Sequence, residues 1–375
     1  MVGWPNRRII DLVGSDHPII QAPMANVAGV DLCVAASEGG ALGSLPCGMI
    51  TADQVREQVA QVRTRVDAPI NLNFFCFAMP AAVDDIKWRK VLRPYYIKFE
   101  IPEPQAAALR MPFDEAYCSI VEEVRPEVVS FHFGLPGEAL LERVRATGAV
   151  ILGCATTVAE AFFLDQCGVD AIIVQGFEAG GHSGRFLDGD PREALGLFAL
   201  LPQVIETVSV PVIAAGGIAD GRGIAAALTL GASGVQVGTA YLRSPESFLP
   251  EGHKDMLGMR PTIVTNIYSG GLARAVRGSL IDEIGPIRGE APPYPLAGAI
   301  TLPLFRAAIE QADYEFLPSL AGQNAALAET RSAADITRKL AAEALAILQR
   351  NGVKAGDNGD RPRPGIHGQL PLVDP

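Results

Sequence analysis

The sequence predicts an α/β fold: a TIM-type (β/α)8 barrel with a smaller cap or insertion domain. Three observations lead there. Eight short apolar runs recur over the first two thirds of the chain, and each but the last is followed by a helix-like stretch. The turn after the first run, Gln21 to Gly29, lacks the GxGxxG that an open doubly wound sheet normally places there. Polar residues gather at the ends of the runs, where barrels carry their ligand site.

The first run is Pro18 to Met24, followed by a small-residue helix from Val30 to Glu38. The second is Gly40 to Leu45. Thr51-Ala-Asp-Gln54 is a capping box that opens the next helix, because Thr at N-cap and Gln at N3 can satisfy each other's backbone N–H. The third run, Pro69 to Phe75, leads into a Pro-, aromatic- and charge-rich stretch that reads as an insertion with one or two helices. Run four is Glu127 to Phe133, run five Ala149 to Cys154, run six Ala171 to Gln175, run seven Pro211 to Gly217 and run eight Gly234 to Thr239. Helices are predicted from Gly137 to Thr147, from Thr157 to about Gly168, from Leu195 to Val208 and from Gly221 to Leu230. The expected organisation is barrel over 1–76, an insertion contributing to the cap over 77–125, barrel again over 126–243, cap over 244–300, C-terminal helices on the barrel over 301–350 and a Gly/Pro-rich tail over 351–375.

Composition narrows the function classes. Of 375 residues, 49% are hydrophobic and 19% charged, enough apolar mass for a large core. The net charge of −11, with no basic run, argues against nucleic acid or an anionic membrane as partner. No apolar run is long enough to span a bilayer, and the N-terminus has no signal-peptide pattern, so a cytoplasmic protein is expected. Six cysteines lack CxxC spacing and read as reduced thiols, and no metal motif occurs.

The richest stretch follows run six: Gln175-Gly-Phe-Glu-Ala-Gly-Gly-His-Ser-Gly184. Glycine lets backbone N–H groups approach a ligand, and His182 among them is the side chain suited to proton transfer near neutral pH. Its bland counterpart is a Gly-rich turn with an incidental histidine. Glu178 is either an orienting carboxylate for His182 or a solvated loop acid. Alternation puts Ser130, His132 and Gly134 on one face of run four and Phe131 and Phe133 on the other, against helices. Asn71, Asn73 and Phe75 share a face in run three; Gln236 and Gly238 share one in run eight. Amides at strand ends either pair with one another or meet a polar planar ligand. Gly216 and Gly217, with the Gln236-Val237-Gly238-Thr239 turn, lie in the seventh and eighth loops, where barrels frequently bind phosphate. With Asn71, Gln175, Gly180 and Gly181 round the rim, this is the footprint of a phosphorylated planar cofactor, and FMN fits. Ala22, Pro23 and Met24 are placed to lie against its ring, although core packing also explains the methionine.

With these motifs laid out, the chain resembles the nitronate monooxygenase family, formerly 2-nitropropane dioxygenases, and within it class I. The resemblance runs through Gln21-Ala-Pro-Met24, Asn71 to Cys76, Val129-Ser-Phe-His-Phe-Gly-Leu-Pro136, the glycine loop, Ala215 to Gly221, Gln236 to Thr239, Tyr268-Ser-Gly-Gly-Leu-Ala-Arg274 and Leu320-Ala-Gly-Gln-Asn324. It implies non-covalent FMN, His182 as the catalytic histidine, and His132 and Tyr294 at the substrate. The expected reaction is oxidation of alkyl nitronates, and of nitroalkanes if His182 serves as base, by O2 to carbonyl compounds and nitrite, through a flavosemiquinone. Partners are then the small-molecule nitronate and O2, with a homodimer as the expected assembly. Two departures bear on the substrate. Phe77 stands where the family often has His, and Tyr294 to Leu302 offers no cation for a substrate carboxylate. The alternatives are an FMN- and NAD(P)H-dependent reductase of a quinone or enoyl thioester, and a non-catalytic flavin-binding protein.

Overall fold

The computed structural model describes residues 3–81, 83–102, 107–109 and 111–352. Eight short, apolar, β-branched segments form one parallel sheet: β1 (Ile19–Gln21), β2 (Gly43–Pro46), β3 (Ile70–Phe75), β4 (Val128–His132), β5 (Val150–Ala155), β6 (Ala171–Gln175), β8 (Val212–Ala215) and β9 (Gly234–Val237). The strands run β1-β9-β8-β6-β5-β4-β3-β2. The ends of this list also meet: Leu42 donates to the Ile19 carbonyl at 2.9 Å, and Gln21 donates to the Leu42 carbonyl at 3.0 Å. The sheet is therefore a closed TIM barrel, as expected. Helix α1 (Arg8–Val13) plugs one end, with Ile9 and Val13 packed on Ile20, Leu42, Leu152 and Ile173 inside the barrel.

The surrounding ring comprises α2 (Val30–Glu38), α3 (Ala52–Arg63), α5 (Glu115–Val124), α6 (Glu138–Ala146), α7 (Val158–Gln166), α8 (Leu197–Thr207), α9 (Gly221–Thr229) and α13 (Ala333–Arg350). Their starts follow from local chemistry. Thr51 and Gln54 form both bonds of the capping box, at 3.3 and 2.9 Å, and Thr157 accepts the Glu160 N–H at 3.1 Å. Helix α13 packs on α9 and α2, closing the ring where β9 has no α-helix of its own.

The cap holds a second core. Helix α4 (Ile86–Lys98) brings Trp88, Leu92, Tyr95 and Tyr96 against Tyr268, Ile300, Leu304 and Phe305. Helices α10 (Glu251–Met256) and α11 (Ser279–Ile284) and helix α12 (Leu296–Glu310) complete the helical part. A three-stranded antiparallel sheet joins them: β10 (Thr262–Thr265), β11 (Ala273–Val276) and β7 (Gly181–His182), in the order β10-β11-β7.

Two boundaries differ from the sequence reading. The 77–125 segment splits: α4 belongs to the cap core, while α5 buries Cys118, Ile120 and Val121 in the barrel's helix layer between α3 and α6. Helix α12 starts earlier than expected and packs on α4 rather than on the barrel wall, because Ile300, Leu304 and Ala308 face the cap core. Beyond Gly352 the proposed tail lies outside the described residues.

Gly43 shows how tightly ring and barrel meet. A Cβ there would stand 2.5 Å from the Cys33 carbonyl oxygen and from Ser37 Oγ on α2. Gly43→Ala should therefore lower stability by about 1–3 kcal/mol, the usual cost of overpacking. Urea unfolding reads this as a lower midpoint at constant slope; an unchanged midpoint would mean that α2 retreats from β2 at no cost.

Candidate functional site

Strand β6 delivers the glycine loop, and Gln175 at its end folds the loop back. The Gln175 amide donates to the His182 carbonyl at 3.0 Å and accepts the Gly184 N–H at 2.7 Å. From the other side β11 fastens it: Ala273 pairs with His182 and Arg274 with Gly181, and Ser183 donates to the Leu272 carbonyl at 2.8 Å. Arg274, buried, donates from Nε and Nη2 to the Phe177 carbonyl at 3.0 and 2.9 Å, and its guanidinium lies 4.5 Å from the Phe177 ring centre. Burial lowers the Arg274 pKa, opposed by the nearby Glu178 charge.

His182 Nε2 lies 2.6 Å from Ser269 Oγ, and Gly271 donates its N–H to the same hydroxyl at 3.3 Å. A hydroxyl can donate to a bare imidazole nitrogen or accept from a protonated one. His182 can thus change protonation state without losing this contact. Aromatic rings stand around it: Tyr294 at 5.2 Å and Phe133 at 6.2 Å between ring centres.

Phe133 is where strand logic fails. Alternation put it against the helices with Phe131. Phe131 is indeed buried there, against Phe113. Phe133, however, has φ 68° and Gly134 φ 91°, so the chain leaves the pleat and swings the ring toward His132, His182 and Tyr294. A bulky residue in this region is strained, and such strain clusters at functional sites.

His132 packs between Phe75 and Phe133, and a Cβ on Gly184 would come within 2.7 Å of its ring. Desolvation pushes its pKa down to about 4, opposed by a hydrogen bond with the His182 backbone. It is therefore a neutral imidazole supporting the glycine loop from below.

The amides of β3 behave in two ways. Asn73 donates to the Ser130 hydroxyl at 2.9 Å and to its carbonyl at 3.2 Å. Asn71 donates to Ser44 Oγ at 3.0 Å, but its own Oδ1 is buried with no partner among the described residues. Gln236 Oε1 on β9 is buried and unpartnered in the same sense. Around Gly217 and Gly238, both expected at a phosphate, the backbone N–H groups of Gly217, Gly238 and Thr239 find no acceptor among the described residues. Helix α9 itself is already capped by Asp220, which accepts from Arg222 and Gly223 N–H, while Glu343 takes the Gly221 N–H. Any phosphate must therefore use the loops' N–H groups rather than that helix end. A Cβ on Gly238 would touch Ala22 Cβ at 3.3 Å and Met24 Sδ at 3.5 Å, which puts both beside this turn.

A cavity of about 1180 Å³ opens beside the glycine loop, with Gln175, Gly181, Phe77, Phe133 and Tyr294 in its wall. Asn71, His182, Gly217 and Gly238 are not part of that wall, which the rings of Phe77, Phe133 and Tyr294 reach.

The sequence model of the family described as nitronate monooxygenase matches residues 6–343. The chain belongs to the nitronate monooxygenase family. It is 38% identical over 348 residues to the nitronate monooxygenase of Paraburkholderia phytofirmans, covering 90% of this chain and 94% of the relative. It is 33% identical over 354 residues to a probable nitronate monooxygenase of Staphylococcus aureus, covering 92% and 99%. Among solved structures it is similar to the nitroalkane oxidase of Streptomyces ansochromogenes, with TM-score 0.84, 35% identity and coverage of 92% and 99%. It is also similar to FabK of Thermotoga maritima, with TM-score 0.72, 27% identity and coverage of 92% and 98%. As a member of the nitronate monooxygenase family the protein is an oxidoreductase, and no described helix is long and apolar enough to cross a membrane.

Within this nitronate monooxygenase fold, several roles differ from the sequence reading. Glu178 is neither a partner of His182 nor a solvated acid: both its oxygens accept the Leu197 N–H, at 2.9 and 2.8 Å, at the start of α8. Gly180 is small because a Cβ would strike the Ala321 and Gly322 backbone at 2.5 Å. That segment bridges the loops: Gly322 donates to Thr239 Oγ1 at 2.9 Å, Gln323 donates to the Glu178 carbonyl at 3.0 Å, and Asn324 donates to the Gly217 carbonyl. The sequence assigns Ser269 and Arg274 no role, since only the folded cap shows what they touch.

The His132 environment sets a pH dependence. Its folded-state pKa lies below the unfolded value of about 6.5. The unfolded chain therefore binds the extra proton first, and stability falls as pH drops from about 6.5 toward 4, by up to roughly 2–3 kcal/mol. The measurement is urea unfolding of wild type and His132→Gln at several pH values. The wild type should lose more stability over that window than the variant; equal losses would remove His132 from the account.

Proposed function

We propose that the protein binds FMN non-covalently and oxidises alkyl nitronates with O2 to carbonyl compounds and nitrite. The supporting observation is a set of orphaned polar groups suited to a phosphorylated planar ring, on β3, β9 and the last two barrel loops, in the same molecule as an imidazole held by a hydroxyl. The residues fit the cofactor. The N–H groups of Gly217, Gly238 and Thr239 would hold its phosphate. The orphaned oxygens of Asn71 and Gln236 would accept from the ring imide or the ribityl hydroxyls. Ala22 and Met24, with Pro23 between them, would lie beside the ring. Gln175, expected to bind the cofactor, also shapes the loop on which Gly180 and Gly181 sit. When bound, FMN supplies the electron acceptor and the route by which electrons reach O2.

The chain's own part is binding and proton handling. The aromatic wall excludes water from the nitronate carbon, which strengthens every remaining electrostatic contact. A nitronate is already an anion, so His182 needs only to donate a hydrogen bond or, protonated, to offset the charge. With a neutral nitroalkane, His182 accepts the α-carbon proton, and Ser269 keeps the imidazole aligned in both protonation states.

His182→Asn should lower kcat/KM for a neutral nitroalkane by about 10²–10⁴-fold, while preformed nitronate keeps a larger share of its turnover. Oxygen uptake on each substrate reads the split. Unchanged nitroalkane turnover would refute the base role, and a colourless protein that takes up no flavin would refute the cofactor. An FMN- and NAD(P)H-dependent reductase of a quinone or enoyl thioester is the second reading. Anaerobic mixing with NADH separates the two, since rapid bleaching of the flavin belongs to the reductase.

A further inference from the structure

Arg274 is a cation where burial argues against one. It is 4% exposed, on β11, the middle strand of the cap sheet. Among the described residues its guanidinium hydrogen-bonds only to uncharged oxygens: the Phe177 carbonyl from Nε and Nη2 at 3.0 and 2.9 Å, and the Thr262 hydroxyl from Nη1 at 3.4 Å. Glu178, whose charge reaches it, commits both oxygens to the Leu197 N–H. Taking a guanidinium out of water without a carboxylate in contact is costly, and an apolar side chain of similar volume would fill the space at lower cost. Stability does not account for an arginine here; a positional task does.

That task is set by the length of β7. The strand has two residues, Gly181 and His182, and follows a loop of glycines, so its ladder alone leaves it free to twist. Arg274 touches both ends of the loop. Its backbone pairs with Gly181, beside the Ala273–His182 pair, and its side chain reaches back to the carbonyl of Phe177. Phe177 is pinned in turn, since its N–H donates to the Leu195 carbonyl at 2.9 Å. One residue thereby sets the span between the start of the loop and the strand that carries His182. A guanidinium suits this: its planar fork brings two N–H groups onto one oxygen in a fixed orientation, whereas a lysine ammonium is a rotatable point donor. The consequence is the aim of the imidazole. His182 Nε2 meets Ser269 Oγ at 2.6 Å, and a turn of β7 about its own axis would carry the ring off that hydroxyl.

We infer that Arg274 is a positioning residue that acts through His182, clamping both ends of the glycine loop so that the imidazole stays aimed. The inference rests on the reading of His182 as the base toward a nitroalkane. Two variants test it: Arg274→Lys, which keeps the charge and one donor, and Arg274→Met, which keeps the volume without the charge. The first readout needs no substrate. Amide hydrogen exchange over residues 176–184 should be several-fold faster in both variants at a melting temperature close to that of the wild type, as local loosening requires. The second is oxygen uptake by the FMN-loaded enzyme. Each variant should lose about ten- to a hundredfold in kcat/KM for a neutral nitroalkane, the usual effect of misplacing a catalytic group by an ångström, and less for the preformed nitronate. In a His182→Asn background the same substitutions should leave nitronate turnover where His182→Asn alone puts it, because the ring they misplace is gone. Equal losses on the two substrates, losses that add in full to that of His182→Asn, or loop exchange unchanged from wild type would each overturn the inference and leave the nitronate reading standing. A variant that does not fold leaves the other to decide, and if neither folds the role is structural and the inference fails. A wild type that turns over neither substrate would remove the proposed reaction and Arg274's part in it together.

Discussion

The pairing of β7 with β11 is the joint on which the site depends. His182 is carried by a barrel loop yet is hydrogen-bonded as a strand of the cap sheet. A Gly-rich loop ordinarily has too much backbone freedom to hold one side chain still. Here the ladder removes that freedom from one side and the Gln175 amide removes it from the other. The cap is therefore part of the site's scaffold rather than a cover laid over a finished one, and its own core around Trp88, Tyr268 and Phe305 gives β11 a fixed position.

The same joint explains where the polar groups go. Buried backbone groups tend to be paired, and the loop from Phe177 to Gly184 pairs the N–H groups of Phe177, Ala179, Ser183 and Gly184 and the carbonyls of Phe177, Glu178 and His182. Among the described residues, the buried Arg274 guanidinium hydrogen-bonds to the Phe177 carbonyl and the Thr262 hydroxyl rather than to a carboxylate, and it lies over the Phe177 ring. Glu178 serves the start of α8. Once these groups are consumed, the oxygens of Asn71 and Gln236 and the N–H groups of the last two barrel loops remain for a ligand. For the cofactor proposed above, selectivity would arise as much from what the protein has already satisfied as from what it leaves open.

The barrel was legible because its signals are local. Period-two and apolar runs mark strands, and Thr51 and Thr157 mark helix starts, within windows of a few residues. Ser44, Asn71, Asn73 and Ser130 sit at adjoining registers, as strand alternation requires. What was not legible depends on distant chain. Nothing near Ser269 says that it meets a histidine 87 residues away. The amphipathic α12 looks alike whether it covers a barrel or a cap. Phe133 fails for another reason: alternation assumes that the strand continues, and a left-handed residue just past its end reverses the side chain's direction. The signal available was Gly134-Leu-Pro136 immediately after it, a turn that allows such an exit.

Two histidines at one barrel mouth also divide the electrostatics between them. His132, enclosed and held near pKa 4, contributes no charge at neutral pH. It supports the loop as a neutral donor to the His182 carbonyl. If it were cationic, it would compete with His182 for any anion and raise the cost of protonating its neighbour. Keeping it neutral leaves the imidazole of His182, held by Ser269 Oγ at 2.6 Å, as the second and separately placed imidazole of this barrel mouth. Under the function proposed above, a nitronate would bring one negative charge, which one imidazolium can offset.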